Sequence, residues 1–391
     1  MKLASRIRDV AGSSTLAITA KAKKLRQEGF DVVSFSAGEP DFDTPEFIKE
    51  SAINAIRLGF TKYTPSTGIP ELKQAISLKF QKDNGLSYSP SQIIVSCGAK
   101  HSLYNVIQVL VDRGEEVILP SPYWVSYIEM IRLAEGKPVI LKTLPPDNFK
   151  INIKNLERAI NSRSKLLILN SPSNPTGCVY TKDELLQIAQ VCVKHKIFVL
   201  SDEIYEKLIY DGQEHISIGS LNEEIYKLTI TVNGVSKTFS MTGWRIGYLG
   251  GPVEIAQAIA NLQDHSTSNP TSISQKAALT ALEAPSEWTD KLRDEFSKRR
   301  NCLLECLGKI PGLSYIKPQG AFYVFCNIGK TGLRSDEFAK RLLDEEKVAL
   351  IPGSGFGADD FVRLSFCMNN EAIIKGCTRI EKWVKQLLKK S

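Results

Sequence analysis

KLLILNSPSNPTG (165–177), KIFVLSDEIY (196–205) and KLTITVNGVSK (227–237) share one pattern, in which a short apolar run leads directly into polar and turn-forming residues. Runs this short and continuously apolar are typical of strands buried on both faces, as in a parallel sheet covered by helices. The chain between the first two runs predicts a helix, because Thr181 and Glu184 can form a capping box before apolar residues at helical spacing. The three stretches therefore predict an α/β fold.

Similar apolar runs recur between residues 92 and 250 and alternate with helical stretches. After about Pro252 the pattern becomes helical, and it then mixes short strands and helices. We therefore expect two domains. A large α/β domain with a mainly parallel sheet would span residues 46–290, and a small α+β domain would be built from both termini, residues 1–45 and 291–391.

The composition is that of a globular protein, since 42% of the residues are hydrophobic and 24% are charged. The excess of 50 Lys and Arg over 43 Asp and Glu is spread along the chain, which does not favour a nucleic-acid partner. No apolar run reaches the length of a membrane span, and the eight cysteines lack metal-ligand spacing. We expect a soluble cytoplasmic protein with reduced thiols, no membrane partner and no metal site.

Polar residues follow four of the apolar runs directly, where the carboxyl end of each strand would lie. Each cluster alone has an ordinary structural explanation, namely a turn, a helix cap, a surface lysine or a helix start. In chain order the residues are Gly98, Ala99 and Lys100; Asn174; Asp202 and Tyr205; and Ser236, Lys237 and Arg245. Because ligands of α/β sheets bind at the carboxyl ends of parallel strands, the four clusters together predict one ligand site.

These residue types suit the chemistry of pyridoxal phosphate (PLP). The phosphate requires a helix N-terminus and an arginine, and the pyridine nitrogen requires a carboxylate that keeps it protonated. The phenolate oxygen accepts hydrogen bonds from an amide and a hydroxyl, and the aldehyde requires a lysine amine. The four clusters would fill these roles in turn: Gly98–Lys100 with Arg245, then Asp202, then Asn174 with Tyr205, and finally Lys237.

Three motifs resemble the signatures of class I, fold type I aminotransferases, which use PLP: SPSNPTG (171–177), SDEIYE (201–206) and SKTFSMTGWRIGY (236–248). Four further segments resemble the prokaryotic-type aspartate aminotransferases within that class: SAGEPDFDTPE (36–46), TKYTPSTGIPELK (61–73), SPYWVSY (121–127) and FVRLSF (361–366). The motifs follow one another in order along nearly the whole chain, and the lysine motif is highly specific. The resemblance implies the fold type I architecture and a PLP-dependent transferase.

The resemblance also implies a role for each matching residue. Lys237 matches the lysine that forms a Schiff base with PLP and moves the α proton of the substrate, and Asp202 matches the partner of the pyridine nitrogen. Asn174 and Tyr205 match the residues that bond the phenolic oxygen, and Trp124 matches the aromatic ring stacked on the cofactor. The phosphate site matches Gly98, Ala99, Ser236 and Arg245.

Substrate contacts match Gly38, Trp124, Asn174 and Arg363. Among these, Arg363 corresponds to the arginine that binds the substrate α-carboxylate, and Gly38 to a glycine whose backbone closes over the substrate. Tyr63 matches a tyrosine that reaches the phosphate of the neighbouring subunit, so the resemblance implies a homodimer with shared active sites. It further implies cis peptide bonds at Ser121–Pro122 and Asn174–Pro175.

The chain departs from the family pattern in two places. Some members carry Ser three residues before the lysine, where this chain has Gly234, so that side-chain contact with the phosphate is not expected. The best-known aspartate aminotransferases bind the distal carboxylate with an arginine, but the segment aligned there, residues 263–270, contains none. Lys100 is the candidate replacement, assisted by Thr15 and by a hydroxyl of Ser266 or Thr267. The alternative is that Lys100 only neutralises the PLP phosphate.

The expected reaction is transamination between L-aspartate and 2-oxoglutarate, with prephenate or aromatic substrates as further candidates. The same scaffold also supports PLP-dependent β-lyases and aminotransferases with other amino donors, and these alternatives stay open. A PLP-sensing regulator is disfavoured, because such proteins carry a DNA-binding domain ahead of the family motifs and this chain shows no room for one.

Overall fold

The computed structural model describes residues 3–8, 10–12 and 14–389, in which strands and helices alternate through the middle of the chain. The strands are β1 (Val33–Ser34), β2 (Ile93–Ser96), β3 (Glu116–Ser121), β4 (Lys137–Lys142), β5 (Ser164–Asn170), β6 (Phe198–Asp202), β7 (Thr229–Gly234), β8 (Gly247–Gly250), β9 (Ser314–Tyr315), β10 (Tyr323–Asn327), β11 (Val348–Ala349), β12 (Ile351–Pro352) and β13 (Phe361–Ser365). The α-helices are α1 (Ser5–Arg8), α2 (Ser14–Gln27), α3 (Glu46–Arg57), α4 (Pro70–Asn84), α5 (Ala99–Leu110), α6 (Ser126–Leu133), α7 (Ile153–Ala159), α8 (Lys182–His195), α9 (Glu223–Tyr226), α10 (Val253–Asp264), α11 (Ser272–Glu283), α12 (Glu287–Gly308), α13 (Ser335–Glu346) and α14 (Asn370–Leu388). Short 3₁₀ turns lie at Pro90–Gln92, Pro145–Asp147, Ile218–Ser220, Thr242–Trp244, Gly329–Thr331 and Gly353–Phe356.

The larger sheet of the described chain has seven strands in the order β2-β8-β7-β6-β5-β3-β4. The pairs among β3 to β7 are parallel, whereas β8 runs antiparallel to both of its neighbours, β2 and β7. Every residue of β2 and β7 is buried, as expected for a sheet covered on both faces. The predicted α/β class with a mainly parallel sheet is confirmed.

The helix predicted between β5 and β6 is α8, and its capping box forms as expected. The Thr181 hydroxyl accepts a hydrogen bond from the Glu184 backbone N–H at 3.4 Å, and the Glu184 carboxylate accepts one from the Thr181 N–H at 2.7 Å. The buried face of α8 carries the apolar residues of the helical pattern, Leu185, Ile188, Ala189 and Cys192 among them. Local sequence and tertiary packing agree here, so β5 and β6 are held side by side.

A smaller antiparallel sheet has the order β12-β13-β10-β9 and packs with the helices of the C-terminal part of the chain. The two-stranded pair β1–β11 joins the two ends of the chain, with Val33 opposite Val348. A large apolar cluster surrounds these elements and includes Phe35, Phe296 and Trp383. The strand β13 brings Arg363 from this region toward the larger sheet.

The bonds Ser121–Pro122 and Asn174–Pro175 are cis, as expected, and Ser171–Pro172 is cis as well. All eight cysteines are free thiols. Within the described ranges, no helix combines the length and the apolar character needed to cross a membrane.

Candidate active site

A cavity of about 360 Å³ opens at the carboxyl ends of β5, β6 and β7. All of the site residues predicted from the sequence line it, Thr15 included, except Gly98, Tyr63, Ser266 and Thr267. A larger cavity of about 620 Å³, beside α4 and the start of α12, contains none of the predicted residues. The residues predicted at the strand ends therefore lie together around one cavity.

Lys237 follows β7, and its amine donates a hydrogen bond to the Gly38 carbonyl oxygen at 2.7 Å. Burial is the main cause that lowers the pKa of Lys237 from 10.5 to about 8. A lysine with this pKa keeps a substantial neutral fraction near physiological pH, and a neutral amine can act as a nucleophile or a base. The Gly38 segment reaches the cavity from the N-terminal part of the chain.

Asp202 is the last residue of β6, and only 4% of it is exposed. Its carboxylate accepts a hydrogen bond from the Tyr127 hydroxyl at 2.5 Å and one from the Ile204 N–H at 3.3 Å. Burial raises the pKa of Asp202 from 3.8 to about 6, while both hydrogen bonds act to lower it. Asp202 therefore offers a buried negative charge whose desolvation would be offset by a neighbouring cation.

Tyr127 is a site residue that the sequence reasoning missed. It lies on α6 three residues after Trp124, and the two rings meet edge to face with centroids 5.3 Å apart. Trp124 precedes α6, so the two residues do not share a helix face, and the motif SPYWVSY that contains both gave no sign that the Tyr127 hydroxyl meets Asp202. The aromatic ring and the partner of Asp202 thus come from one short segment, the turn at Trp124 and the start of α6.

A second set of polar residues surrounds Glu203, the residue that follows the end of β6. The Glu203 carboxylate accepts hydrogen bonds from Ser201, Ser217 and Asn84, and His215 Nε2 lies 2.8 Å from it. The ligand atoms of Glu203, Glu206 and His215 lie within 4.8 Å of one another, which is close enough to hold a metal ion. However, the Lys79 amine already forms an ion pair with Glu206 and places a positive charge in this cluster. The cluster is thus explained as a buried hydrogen-bond network that supports Asp202.

Arg363 lies in the middle of β13 and is only 2% exposed. Its Nη1 donates to Asn174 Oδ1 at 2.9 Å and its Nη2 to the Ser36 carbonyl at 3.3 Å, whereas its Nε has no hydrogen-bond partner among the described residues. The Asn174 oxygen is thus engaged, and its amide nitrogen remains as a donor. The Tyr205 hydroxyl forms its hydrogen bond with the hydroxyl of Tyr323, a second residue that the sequence reasoning missed, at 3.0 Å.

The start of α5 and Arg245 form the other end of the cavity. Gly98 caps α5 with φ of +88°, and a Cβ built there would lie 2.4 Å from the Arg245 guanidinium. Arg245 donates to the carbonyl oxygens of Thr242 at 2.9 Å and Cys97 at 3.4 Å. Glycine is therefore required for Arg245 to approach the helix N-terminus, where both groups favour an anion.

Lys100 lies in the first turn of α5, and its amine is 4.9 Å from the centroid of the Trp124 ring. Burial lowers the pKa of Lys100, and the nearby Arg245 charge adds to this effect. Thr15 lines the same cavity, but Ser266 and Thr267 do not line the cavity of their own chain.

Tyr63 lies outside the cavity of its own chain with 92% of the residue exposed. The exposed apolar residues Ile56 and Leu58 precede it in the same segment. Contiguous exposed apolar residues are typical of surfaces that contact another protein.

Residues 31–380 match the family model of class I and II aminotransferases. The chain belongs to this family. Aspartate aminotransferase of Geobacillus stearothermophilus is 51% identical, over 98% of this chain and 99% of the relative. The probable aspartate/prephenate aminotransferase of Aquifex aeolicus is 46% identical, over 98% and 99% of the two chains. The structure of Thermus thermophilus aspartate aminotransferase with maleate superimposes with a TM-score of 0.94 at 44% identity and covers 98% of this chain and 99% of that one.

Family membership confirms the resemblance seen in the motifs, and members of this family use PLP. The cavity of this aminotransferase offers the donor set that PLP requires: a buried carboxylate, a lysine amine of lowered pKa and an arginine at a helix N-terminus. The residues present therefore fit the cofactor.

Proposed function

We propose that this aminotransferase binds PLP through Lys237 and transfers the amino group between L-aspartate and 2-oxoglutarate. The observation that carries the proposal is the charge of the cavity. Lys100, Lys237, Arg245 and Arg363 line it together with one carboxylate, Asp202. Within the described part of the chain, none of the four cations forms an ion pair with a carboxylate. Such a cavity suits a phosphate together with the carboxylates of an acidic substrate.

When bound, PLP supplies an aldehyde that captures the substrate amino group and a ring that withdraws electrons from the substrate α carbon. Asp202 holds a proton on the pyridine nitrogen, and this pairing offsets the desolvation that raises the pKa of Asp202. Tyr127 holds the carboxylate in place by its hydrogen bond. The start of α5 would hold the phosphate through the Gly98 and Ala99 amides, together with Arg245 and Ser236.

Lys237 supplies the proton transfer. Its amine would accept the α proton of the substrate and return it to the C4′ carbon of the cofactor, a role that a lysine of lowered pKa can fill near neutral pH. The hydrogen bond to the Gly38 carbonyl gives the amine a fixed position when it is not attached to the cofactor. Asn174 and Tyr205 would donate hydrogen bonds to the phenolic oxygen of the cofactor, and Trp124 would cover its ring.

Arg363 binds the substrate α-carboxylate. Its guanidinium is fixed by Asn174 and Ser36, and its planar donors suit a carboxylate better than a lysine amine would. The relatives named for aspartate and the structure named with maleate support a second carboxylate in the substrate. The name of the Aquifex relative supports prephenate as a further substrate.

Lys100 binds the distal carboxylate in this proposal, with Thr15 beside it. Its amine lies over Trp124 within the cavity and has no carboxylate partner in the described chain. Lys100→Ala should lower kcat/KM for aspartate by about 10- to 100-fold and spare phenylalanine, because only a dicarboxylate leaves a charge unpaired. Equal losses for both substrates at saturating PLP would assign Lys100 to the phosphate instead. Lys182→Ala, at an exposed lysine in the first turn of α8, is the matched control.

The active protein is a homodimer in this proposal, with Tyr63 reaching the phosphate of the neighbouring subunit. The 92% exposure of Tyr63 and the exposed Ile56 and Leu58 nearby support an interface along this segment. The cytoplasmic location remains a prediction, which the eight free thiols support.

The proposal is tested with the wild-type protein and Lys237→Ala. The wild type should show a visible absorption band, and borohydride should fix PLP on the peptide that contains Lys237. Lys237→Ala should bind PLP without covalent attachment and should lose nearly all turnover of aspartate with 2-oxoglutarate. A label on another lysine would contradict the proposal, and release of pyruvate and free ammonia without transfer of the amino group to 2-oxoglutarate would assign a β-lyase.

A further inference from the structure

Tyr323 contacts both Tyr205, a proposed cofactor residue, and Arg363, a proposed substrate residue. It is the first residue of β10, is 1% exposed and lines the cavity with Tyr205 and Arg363. Its hydroxyl is 3.0 Å from that of Tyr205, and its ring centroid is 4.2 Å from the Arg363 guanidinium carbon. A Cβ at Gly38 would lie 3.5 Å from the same hydroxyl, so Tyr323 also lies against the backbone that covers the cavity.

The donor in the hydrogen bond between the two tyrosine hydroxyls is determined if Tyr205 donates its proton to the cofactor. Each tyrosine hydroxyl carries one proton and can accept further hydrogen bonds. If Tyr205 donates its proton to an oxygen in the cavity, the shared hydrogen bond requires Tyr323 to donate to Tyr205. Tyr323 can do so at any working pH, because burial raises its pKa to about 12. A hydroxyl that accepts a hydrogen bond becomes a stronger donor in turn.

The ring of Tyr323 acts on Arg363 separately from the hydroxyl. Two hydrogen bonds hold the ends of the guanidinium, to Asn174 and to the Ser36 carbonyl, while its Nε has no hydrogen-bond partner in the described part of the chain. The Tyr323 ring therefore supplies the contact that sets the guanidinium plane, together with the Phe356 ring 5.2 Å away. A cation held against aromatic rings keeps its orientation and its charge in a buried site.

We propose that Tyr323 is a positioning residue that sets the proton direction of Tyr205 with its hydroxyl and the guanidinium plane of Arg363 with its ring. The inference rests on the proposed function, since Tyr205 acts on the phenolic oxygen of PLP and Arg363 on the substrate carboxylate. One side chain would thus link the cofactor contact to the substrate contact.

Two variants separate the two roles of Tyr323. Tyr323→Phe keeps the ring and removes the hydroxyl, whereas Tyr323→Leu removes both. Tyr210→Phe is the matched control, because Tyr210 is 2% exposed, donates its hydroxyl to the Ala321 carbonyl at 2.5 Å and has the Arg300 guanidinium 4.6 Å from its ring. The PLP-loaded proteins are titrated by visible absorbance, and maleate binding is measured as a dicarboxylate probe.

Tyr323→Phe should shift the titration of the cofactor band upward by about half a unit to one unit, since the phenolate loses support from the hydroxyl chain. Its affinity for maleate should stay near that of the wild type. Tyr323→Leu should show the same shift and bind maleate roughly 2- to 30-fold more weakly, the range of a cation–π contact. Tyr210→Phe should change neither quantity.

A Tyr323→Phe titration that coincides with the wild type would overturn the role of the hydroxyl. A shift of equal size in Tyr210→Phe would also overturn it, because the effect would then be a general one of packing. Unchanged maleate affinity in Tyr323→Leu would overturn the role of the ring. A wild-type protein without a cofactor band would overturn the proposed function and this inference together, whereas a band lost only in Lys237→Ala would leave the proposed function intact.

Discussion

Replacement of Asp202 by Asn should stabilise the cofactor-free protein while it strongly lowers turnover. Burial raises the pKa of this carboxyl from 3.8 to about 6. One pKa unit corresponds to about 1.4 kcal/mol, so the ionised carboxylate destabilises the folded protein by about 3 kcal/mol near neutral pH. Asn fills the same volume and carries no charge, and it therefore removes this cost.

The loss of the hydrogen bond that Tyr127 donates to Asp202 offsets part of this gain in stability. Both Asp202 oxygens accept hydrogen bonds, one from Tyr127 and one from the Ile204 N–H. Asn can keep the bond with Ile204 through its oxygen, and the Tyr127 hydroxyl can then accept from the amide nitrogen. The Tyr127 proton loses its acceptor, at a cost of about 1 kcal/mol. We expect the variant to be more stable by about 2 kcal/mol at pH 8.

The pH dependence of the stability difference between Asp202→Asn and the wild type shows whether the ionised Asp202 carboxylate causes it. A carboxyl with a raised folded pKa takes up a proton in the folded protein before it does so in the unfolded chain. The wild type therefore carries the full cost above about pH 6, and the cost disappears as the pH falls toward the unfolded pKa of 3.8. The stability advantage of Asp202→Asn should be largest at pH 8 and smaller at pH 5.

Urea unfolding of the cofactor-free proteins at one fixed subunit concentration measures this difference. Asp211→Asn is the control of opposite sign, because hydrogen bonds from Arg300 lower the pKa of Asp211 to about 2 and its loss should destabilise the protein. Turnover of Asp202→Asn should fall by roughly 10²- to 10³-fold. A variant less stable than the wild type at pH 8 would refute the assignment of Asp202 as a desolvated carboxylate.

Two further predictions concern the cations of the cavity. Arg363→Lys should raise KM for every amino-acid substrate, since a lysine cannot donate two parallel hydrogen bonds to the α-carboxylate; an effect confined to aspartate and glutamate would mean that Arg363 reads the side chain. The rate at which the cofactor-free protein captures PLP should rise as the pH increases through about 8, because the neutral Lys237 amine is the reacting form. A stopped-flow series of absorbance traces checks this, and a flat profile between pH 7 and pH 9 would count against the lowered pKa.

The sequence predicted the larger sheet and the edge that carries the site. Strands such as β6 and β7 are short apolar runs because helices cover both faces of the sheet, and this burial is visible in the sequence. The direction of β8 was not predicted. Residues 235–246 connect it to β7 through turns and one 3₁₀ turn, without an α-helix that could cross over the sheet, and the two strands pair antiparallel.

Two contacts of the site could not be predicted, because they depend on packing between distant segments. Tyr127 meets Asp202 across 75 residues, and Tyr323 meets Tyr205 across 118. Tyr127 lies inside α6 rather than directly at the end of β3, and Tyr323 begins a strand of the smaller sheet, so a search of the residues directly after the strand ends does not single them out. A buried tyrosine in an apolar pattern is ordinarily a core residue, and only the tertiary fold shows where its hydroxyl lies.

Asp202 and Lys237 show why the site depends on its cofactor. Burial moves both pKa values toward neutrality, to about 6 and about 8, and the Lys237 amine bonds the Gly38 carbonyl rather than the Asp202 carboxylate. A direct ion pair between them would have lowered the pKa of Asp202 and raised that of Lys237, and neither group would then be available to the cofactor or the substrate. Because they are kept apart, a cationic pyridine nitrogen can offset the desolvation of Asp202 while Lys237 remains able to exchange a proton. Part of the binding free energy of PLP therefore removes the destabilisation by Asp202, and PLP should stabilise the wild type more than it stabilises Asp202→Asn.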